Sequence, residues 1–239
     1  MTEKQDTPAS GYGLFRPGFR TYLLLALAII LVDQIVKLVV KTQMHLGEEF
    51  RVLGDVFKIH FVENPGAAFG MTLGKFGISN PDVAKLVLTL FSILAVGVII
   101  WYLYKIRHYR TALPYWVAII LAGALGNIID RVFYGAWFAE QNAYEGGLLY
   151  GQVVDMFYVD IWQGVLPSWV PFFGGQFYAF WPIFNIADAA ISTGILAILI
   201  WQKRLFVKPD AQPAAHPQAP YSPGTEGAAT QAQDAPAAP

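Results

Sequence analysis

The chain of 239 residues contains no cysteine, which excludes disulfides, a thiolate nucleophile, cysteine-ligated zinc and a lipid anchor on the chain itself. Charge is scarce at 14%, and sixteen Lys and Arg against seventeen Asp and Glu leave a net charge of -1. With no basic excess and no basic patch, nucleic acid is not an expected partner. The four histidines are scattered at 45, 60, 108 and 216, and neither H-E-x-x-H nor G-x-S-x-G occurs. Ser92 and Ser192 fall inside apolar runs with no obvious Lys or His partner. Zinc-peptidase and serine chemistries therefore lack their parts, and no metal or cofactor is expected.

What is abundant is apolar: 55% of residues are hydrophobic, 15% are aromatic, and the mean hydropathy is +0.43. This is the composition of a membrane protein. A helix needs about 20 residues to cross a hydrocarbon core of about 30 Å. Four runs approach that length, roughly Thr21 to Val40, Val83 to Tyr104, Leu113 to Ile129 and Ile183 to Trp201. The first is longer than a usual signal core and has no small-residue cleavage site after it, so it reads as a retained anchor.

Orientation follows from the cations, because short loops rich in Lys and Arg stay in the cytoplasm. Lys4, Arg16 and Arg20 precede the first run, Lys105, Arg107 and Arg110 join the second and third, and Lys203, Arg204 and Lys208 follow the fourth. Both termini are expected inside, and the connections at about 42–82 and 130–182 outside. The fold class is thus an all-α membrane protein with four transmembrane helices. Residues 1–20 form a cytoplasmic segment, 21–207 the membrane domain, and the Pro-, Ala- and Gln-rich 208–239 a disordered cytoplasmic tail.

Within the first outer connection, Val56 to Val62 alternates with a period of two after a Gly54-Asp55 turn signal, which predicts a small extracytoplasmic β-sheet. The second is an extended extracytoplasmic loop with Gly146-Gly147, Gly174-Gly175, Pro167 and Pro171. It also carries Trp162, Trp169, Phe172, Phe173, Phe177, Tyr178, Phe180 and Trp181, rings that suit an interfacial anchor or a substrate lid.

Polar residues within apolar runs need a reason, since a charge at the bilayer centre costs at least about 2.5 kcal/mol. Five clusters qualify: Asp33-Gln34 with Lys37, Asn64-Pro65-Gly66 through Gly70, Asn127 with Asp130 and Arg131, Asp155, and Asn185 with Asp188. On the topology above they converge toward the outer side. Asn127, Asp130 and Arg131 share a helix face by i,i+3 and i,i+4 spacing, as do Asn185 and Asp188. Gly123, Ala124, Gly126 and Gly194 are small enough for helices to approach there.

Structural readings stand beside these. Asp33 and Lys37 can neutralise one another at i,i+4, Asp130 beside Arg131 reads as an ion pair at a helix mouth, and Asp155 in a loop reads as a solvated acid. Asp188 lies in an apolar helix with no cation within a turn, which makes it the strongest functional candidate. Two carboxyls brought together cannot both ionise easily, and that is the device of aspartic peptidases. Rival readings are an ion- or proton-coupled transporter and a noncatalytic scaffold. A transporter site belongs near the midplane, often on repeated helices, and no internal repeat is evident.

Taken together, Asp33-Gln34-Ile35-Val36-Lys37, Asn64-Pro65-Gly66-Ala67-Ala68-Phe69-Gly70, Gly123 through Arg131, Val153-Val154-Asp155-Met156-Phe157 and Phe184-Asn185-Ile186-Ala187-Asp188 resemble the lipoprotein signal peptidases, or signal peptidase II. The resemblance covers most of residues 21–205. It implies that Asp155 and Asp188 are the catalytic pair, a choice over Asp130 that spacing alone does not make. It further implies that Asn64, Gly66, Asn127, Arg131 and Asn185 position substrate, and that Asp33 and Lys37 hold the site together. Members of the family remove the signal peptide of diacylglyceryl-modified prolipoproteins just before the lipidated cysteine, in the bacterial cytoplasmic (inner) membrane, and globomycin is their inhibitor. Two departures stand out: the segments from Arg131 to Asp155 and from Asp155 to Asp188 are longer than the family pattern, and Val36 stands where Ser or Thr is common.

Overall fold

A computed structural model describes residues 18–66, 80–170, 174–175, 177–179 and 182–206. The expected tail at 208–239, most of the N-terminal segment, Ala67 to Gly70, and Phe172, Phe173, Phe180 and Trp181 lie outside them.

Among the described residues, four helices are long and apolar enough to cross a membrane: Phe19–Gln43, Pro81–Ile106, Leu113–Trp137 and Ile186–Leu205. The first is α1 and the second α2. The third consists of α3 (Leu113–Ile129), a π-helical turn (Asp130–Tyr134) and the short α4 (Gly135–Trp137), and the last is α5. Local signals set several ends. Asn80 caps α2 by accepting from the amides of Asp82 and Val83 at 2.9 and 3.3 Å, with Pro81 in the first turn, where its missing N–H leaves no bond unmade.

The bundle has an apolar exterior and a polar interior. Leu24, Leu27, Leu31 and Ile35 face outward along α1, whereas Asp33, Lys37 and Lys41 are buried. That inversion suits helices whose solvent is lipid. Helix α3 is central and packs against α1, α2 and α5. A Cβ on Gly123 would run into the Ala187 carbonyl, and one on Gly194 would come within 3.1 Å of the Trp116 carbonyl. The small residues therefore permit the close α3–α5 approach that the sequence predicts. Apolar cores lie on either side of the polar layer: Tyr22, Leu103, Leu113, Val117 and Leu121 at one end, and Val40, Phe61, Tyr134, Val154 and Met156 at the other.

Above that second core lies an antiparallel sheet of β1 (Glu49–Leu53), β2 (Phe57–Asn64) and β3 (Val153–Val159), in the order β1-β2-β3. The turn between β1 and β2 holds Gly54 at φ 55°, a left-handed conformation that costs glycine little. Strand β3 comes from far along the chain and pairs Asp155 with Val62 and Val154 with Glu63. Its other edge takes Phe184, which exchanges backbone hydrogen bonds with Phe157. The pairing delays α5 to Ile186 and sets that helix's first turn beside β3. A separate hairpin joins β4 (Gln163–Val165) to β5 (Phe177–Ala179).

Two expectations need correction. Helix three does not stop at Ile129: it continues to Trp137, because the polar pair that interrupts the apolar run finds partners inside the protein. The π turn leaves carbonyls open, and the returning chain uses them, with Leu149 N–H donating to Val132 O at 2.8 Å and Gly151 N–H to Arg131 O at 2.9 Å. Nor do Asp130 and Arg131 form an ion pair with each other. Successive residues on a helix point in different directions, so Asp130 turns to Lys37 and Arg131 to Ser92.

Candidate active site

Lys37 is fully buried, and its ammonium bridges Asp33 at 3.0 Å and Asp130 at 2.8 Å, with Asn127 Oδ1 as a third acceptor at 2.9 Å. A lone ammonium in such a place would be strongly destabilising; three acceptors for its three protons are what make it tolerable. The i,i+4 pair of Asp33 and Lys37 therefore forms as the spacing predicts.

Both carboxylates do further work. Asp33 accepts from the Ala187 amide at 2.9 Å, so a side chain on α1 satisfies one of the free donors at the start of α5. Asp130 accepts from the Val154 amide at 3.2 Å and from Gln34 Nε2 at 3.0 Å, fixing the β3 backbone one residue before Asp155. Gln34 in turn accepts from the Tyr134 hydroxyl at 3.1 Å.

Asp155 is 1% exposed, in mid-strand and not the solvated loop acid that its surroundings in the sequence predict. The burial is created by partners distant in the chain. Asn185 Nδ2 donates to its Oδ1 at 2.6 Å and Asn64 Nδ2 to its Oδ2 at 3.1 Å. Asn64 itself is held by the Gly66 amide, which donates to its Oδ1 at 2.8 Å. Gly66 sits at φ 103°, and a Cβ there would collide with Leu88.

Asn185 is the N-cap of α5, and its Oδ1 accepts from the Asp188 amide at 2.9 Å. One amide side chain thus touches Asp155 and defines the turn that carries Asp188. Asn127 completes the link, donating to Asp188 Oδ1 at 2.8 Å while its own Oδ1 accepts from Asn185 at 3.1 Å. Arg131 is anchored by Ser92 at 3.2 Å and lies in the field of Asp188, Asp130 and Asp155.

Asp155 and Asp188 are close enough to interact. The Asp155 carboxyl is pushed up from its ordinary 3.8 to about 7, first by burial and next by the negative charge of Asp188, against the opposing effect of the Asn64 and Asn185 hydrogen bonds and of Lys37. Four carboxyls meet two cations around this centre, so a proton held on Asp155 relieves part of the excess negative charge. A carboxyl titrating near neutrality beside a second one can exchange a proton with a bound water or a leaving group. Among the described residues, no three His, Asp or Glu side chains are arranged to hold a metal ion.

All ten residues singled out from the sequence, Asp33, Lys37, Asn64, Gly66, Asn127, Asp130, Arg131, Asp155, Asn185 and Asp188, lie in or against this centre. Gln34 gains a role there that its mention in the sequence did not assign, and Tyr134, together with Lys41 just beyond the centre, was missed. Lys41 extends the stripe of Asp33 and Lys37 by another i,i+4 step, a signal that could have found it.

The family profile for signal peptidase (SPase) II matches residues 25–204. The chain is 41% identical over 194 residues to a lipoprotein signal peptidase of Porphyromonas gingivalis, covering 75% of this chain and 81% of that one. To the lipoprotein signal peptidase of Amoebophilus asiaticus it is 37% identical over 197 residues, 79% of each chain. A bacterial membrane enzyme solved by the in meso method at 2.3 Å resolution shares the fold with a TM-score of 0.51 and 28% identity, over 77% of this chain and 88% of that one. The profile match takes in the whole centre from Asp33 to Asp188, and with four membrane-length helices around it the chain belongs to the lipoprotein signal peptidase family, multi-pass bacterial membrane enzymes that cleave signal peptides in lipoprotein maturation.

Proposed function

We propose that the peptidase is an aspartic endopeptidase that cuts diacylglyceryl-modified prolipoproteins on the N-terminal side of the lipidated cysteine, with Asp155 and Asp188 as its catalytic pair. The observation that carries this reading is the buried Asp155, raised to about 7 beside Asp188, with Asn185 bonded to both residues. Asp155 holds the shared proton in the resting enzyme. Asp188 accepts a proton from water as that water attacks the scissile carbonyl, and Asp155 donates to the departing nitrogen. Asn127 and Asn185 keep the two carboxyls in register, and Asn64 and Arg131 are the groups assigned to holding the substrate backbone beside them.

The cation distribution supports a cytoplasmic (inner) membrane orientation with both termini inside and the centre toward the outer face, where the acyl chains of a lipidated substrate enter the bilayer. Globomycin is expected to compete with the substrate for this centre. The test is signal-peptide release from a diacylglyceryl prolipoprotein by purified wild type, Asp155→Asn, Asp188→Asn and Asp130→Asn, each confirmed folded. Cleavage before the lipidated cysteine that vanishes in the first two variants supports the pair. Inactive folded wild type on several lipidated substrates sinks the peptidase chemistry proposed here, and loss only in Asp130→Asn moves it to another carboxyl.

A further inference from the structure

A second buried charge pair lies outside the site. Lys41, in the last turn of α1, is ion-paired with Glu63 at the end of β2, and both side chains are nearly inaccessible. The ammonium also donates to Asn142 Oδ1 at 2.8 Å and sits over the rings of Phe61 and Phe138 at 5.7 and 5.8 Å. Asn142 Nδ2 donates in turn to Tyr134 O at 3.1 Å, at the end of the π turn. The proposed chemistry uses none of these groups.

Their placement gives them a task. Glu63 directly precedes Asn64, whose amide bonds Asp155, and Glu63 lies opposite Val154 in the β2–β3 ladder while Asn64 lies opposite Val153. Asn142 belongs to the segment between Arg131 and Asp155 that is longer than the family pattern. That segment is docked on the bundle at further points: Thr89 Oγ1 donates to Leu149 O at 3.1 Å, Lys85 stands 4.7 Å from the Tyr144 ring, and the Leu149 and Gly151 amides reach the π-turn carbonyls. The segment is therefore built into the wall that holds the end of β2.

We infer that Asn142, Lys41 and Glu63 form a clamp of positioning residues through which the long segment after Arg131 holds Asn64 on Asp155. The inference rests on Asp155 being catalytic. Without the clamp, the end of β2 loses its buried ion pair to α1 and keeps only the apolar packing of Phe61 on Val40, and Asn64 no longer donates steadily to Asp155. The other groups facing Asp155 stay in place: Asp188 and Asn185 from α5, Lys37 from α1, and Arg131 and Asp130 from the π turn. Loss of the Asn64 bond alone then raises the Asp155 titration.

The experiment compares wild type with Asn142→Ala, Glu63→Gln and the apolar double variant Lys41→Met/Glu63→Leu, which strands no buried charge. Arg51→Ala, breaking an exposed ion pair near the far end of the same hairpin, is the control. In folded variants kcat is expected to fall about tenfold or more, in line with small displacements of a catalytic group. KM should change less than about twofold, and the alkaline limb of the pH–rate profile should move to higher pH. Independently of turnover, hydrogen exchange should speed up at the amides of 62–64 and 153–155 and stay unchanged at 57–59. Wild-type kcat, limb and exchange in folded Asn142→Ala and the double variant overturn the clamp. So does a lower rate with an unshifted limb and unchanged exchange, which reports general damage. Inactive wild type overturns the proposed function instead, and the exchange data still decide whether the clamp holds Asn64.

Discussion

Asn127 donates to Asp188 at 2.8 Å, and its other amide atom accepts from Lys37 at 2.9 Å. The bond orients an acid at the first turn of α5 against a cation one helix away, and it couples the electrostatic centre of the bundle to the candidate pair. Replacement of Asn127 by Ala leaves a buried ammonium short of an acceptor and Asp188 short of a donor. Loss of such a bond costs about 1–3 kcal/mol, so the variant should fold with a lower unfolding temperature. Its kcat should fall by about 10²-fold, the lower range of a misoriented acid–base group. Thermal unfolding in detergent and steady-state cleavage read the two effects separately, and an unchanged kcat would remove Asn127 from the positioning of Asp188.

The pH dependence has a definite sign. Asp155 titrates near 3.8 in an unfolded chain and about 7 in place, so the folded state binds the proton more tightly. Its contribution to stability is fully present below the lower value and is lost as pH rises through the higher one. Wild type should therefore lose stability between about pH 4 and pH 7, and cleavage should decline above about pH 7 as Asp155, the proposed proton donor, ionises. Asp155→Asn keeps a neutral group and should flatten this part of the stability profile, unfolding at a higher temperature than wild type at pH 8. A variant less stable than wild type at pH 8 would contradict the raised titration.

The four spans are legible because their length is dictated by the bilayer and not by tertiary partners. Asp33 with Lys37 is legible for a similar reason: i,i+4 geometry is local. Gly123, Gly126 and Gly194 announce a close approach by their size alone. Asp155 is not legible by local rules, since its burial comes from Asn64, Phe184 and Asn185, each separated from it by long stretches of chain. The same holds for Asp130 and Arg131. They break the apolar run in the sequence, yet the helix continues because Lys37, Gln34 and Ser92 answer them from other helices.

Lys37 should be the most expensive single residue of the centre to lose. Its ammonium faces Asp33 and Asp130, and Lys37→Met leaves both carboxylates buried without their cation. Breaking a buried pair from one side costs about 3–5 kcal/mol. Asp33→Asn is isosteric, retains an oxygen for the Ala187 amide, and leaves Asp130 on the ammonium. The folded yield and unfolding temperature of Lys37→Met should therefore lie well below those of Asp33→Asn, and the reverse order would show that Asp33 holds the start of α5 more strongly than Lys37 balances the charge.

Gly126 tests the packing that brings the parts together. A Cβ at this position would lie 2.7 Å from Asp33 Oδ2 and 3.2 Å from the Ala187 Cβ, so one methyl group intrudes between α1, α3 and α5. The nearest atom belongs to a carboxylate tied by both Lys37 and the Ala187 amide, so it cannot swing aside without releasing one of them. Gly126→Ala is expected to push α5 outward, separate Asp188 from Asn127 and reduce cleavage at least about 10²-fold, the penalty for a displacement near 1 Å. Gly97 on α2 meets nothing within 4 Å, and Gly97→Ala should be neutral, or stabilising by up to about 1 kcal/mol through helix propensity. Equal behaviour of the two variants in cleavage and thermal unfolding would mean that the tight contact at Gly126 is not what brings α5 to the centre.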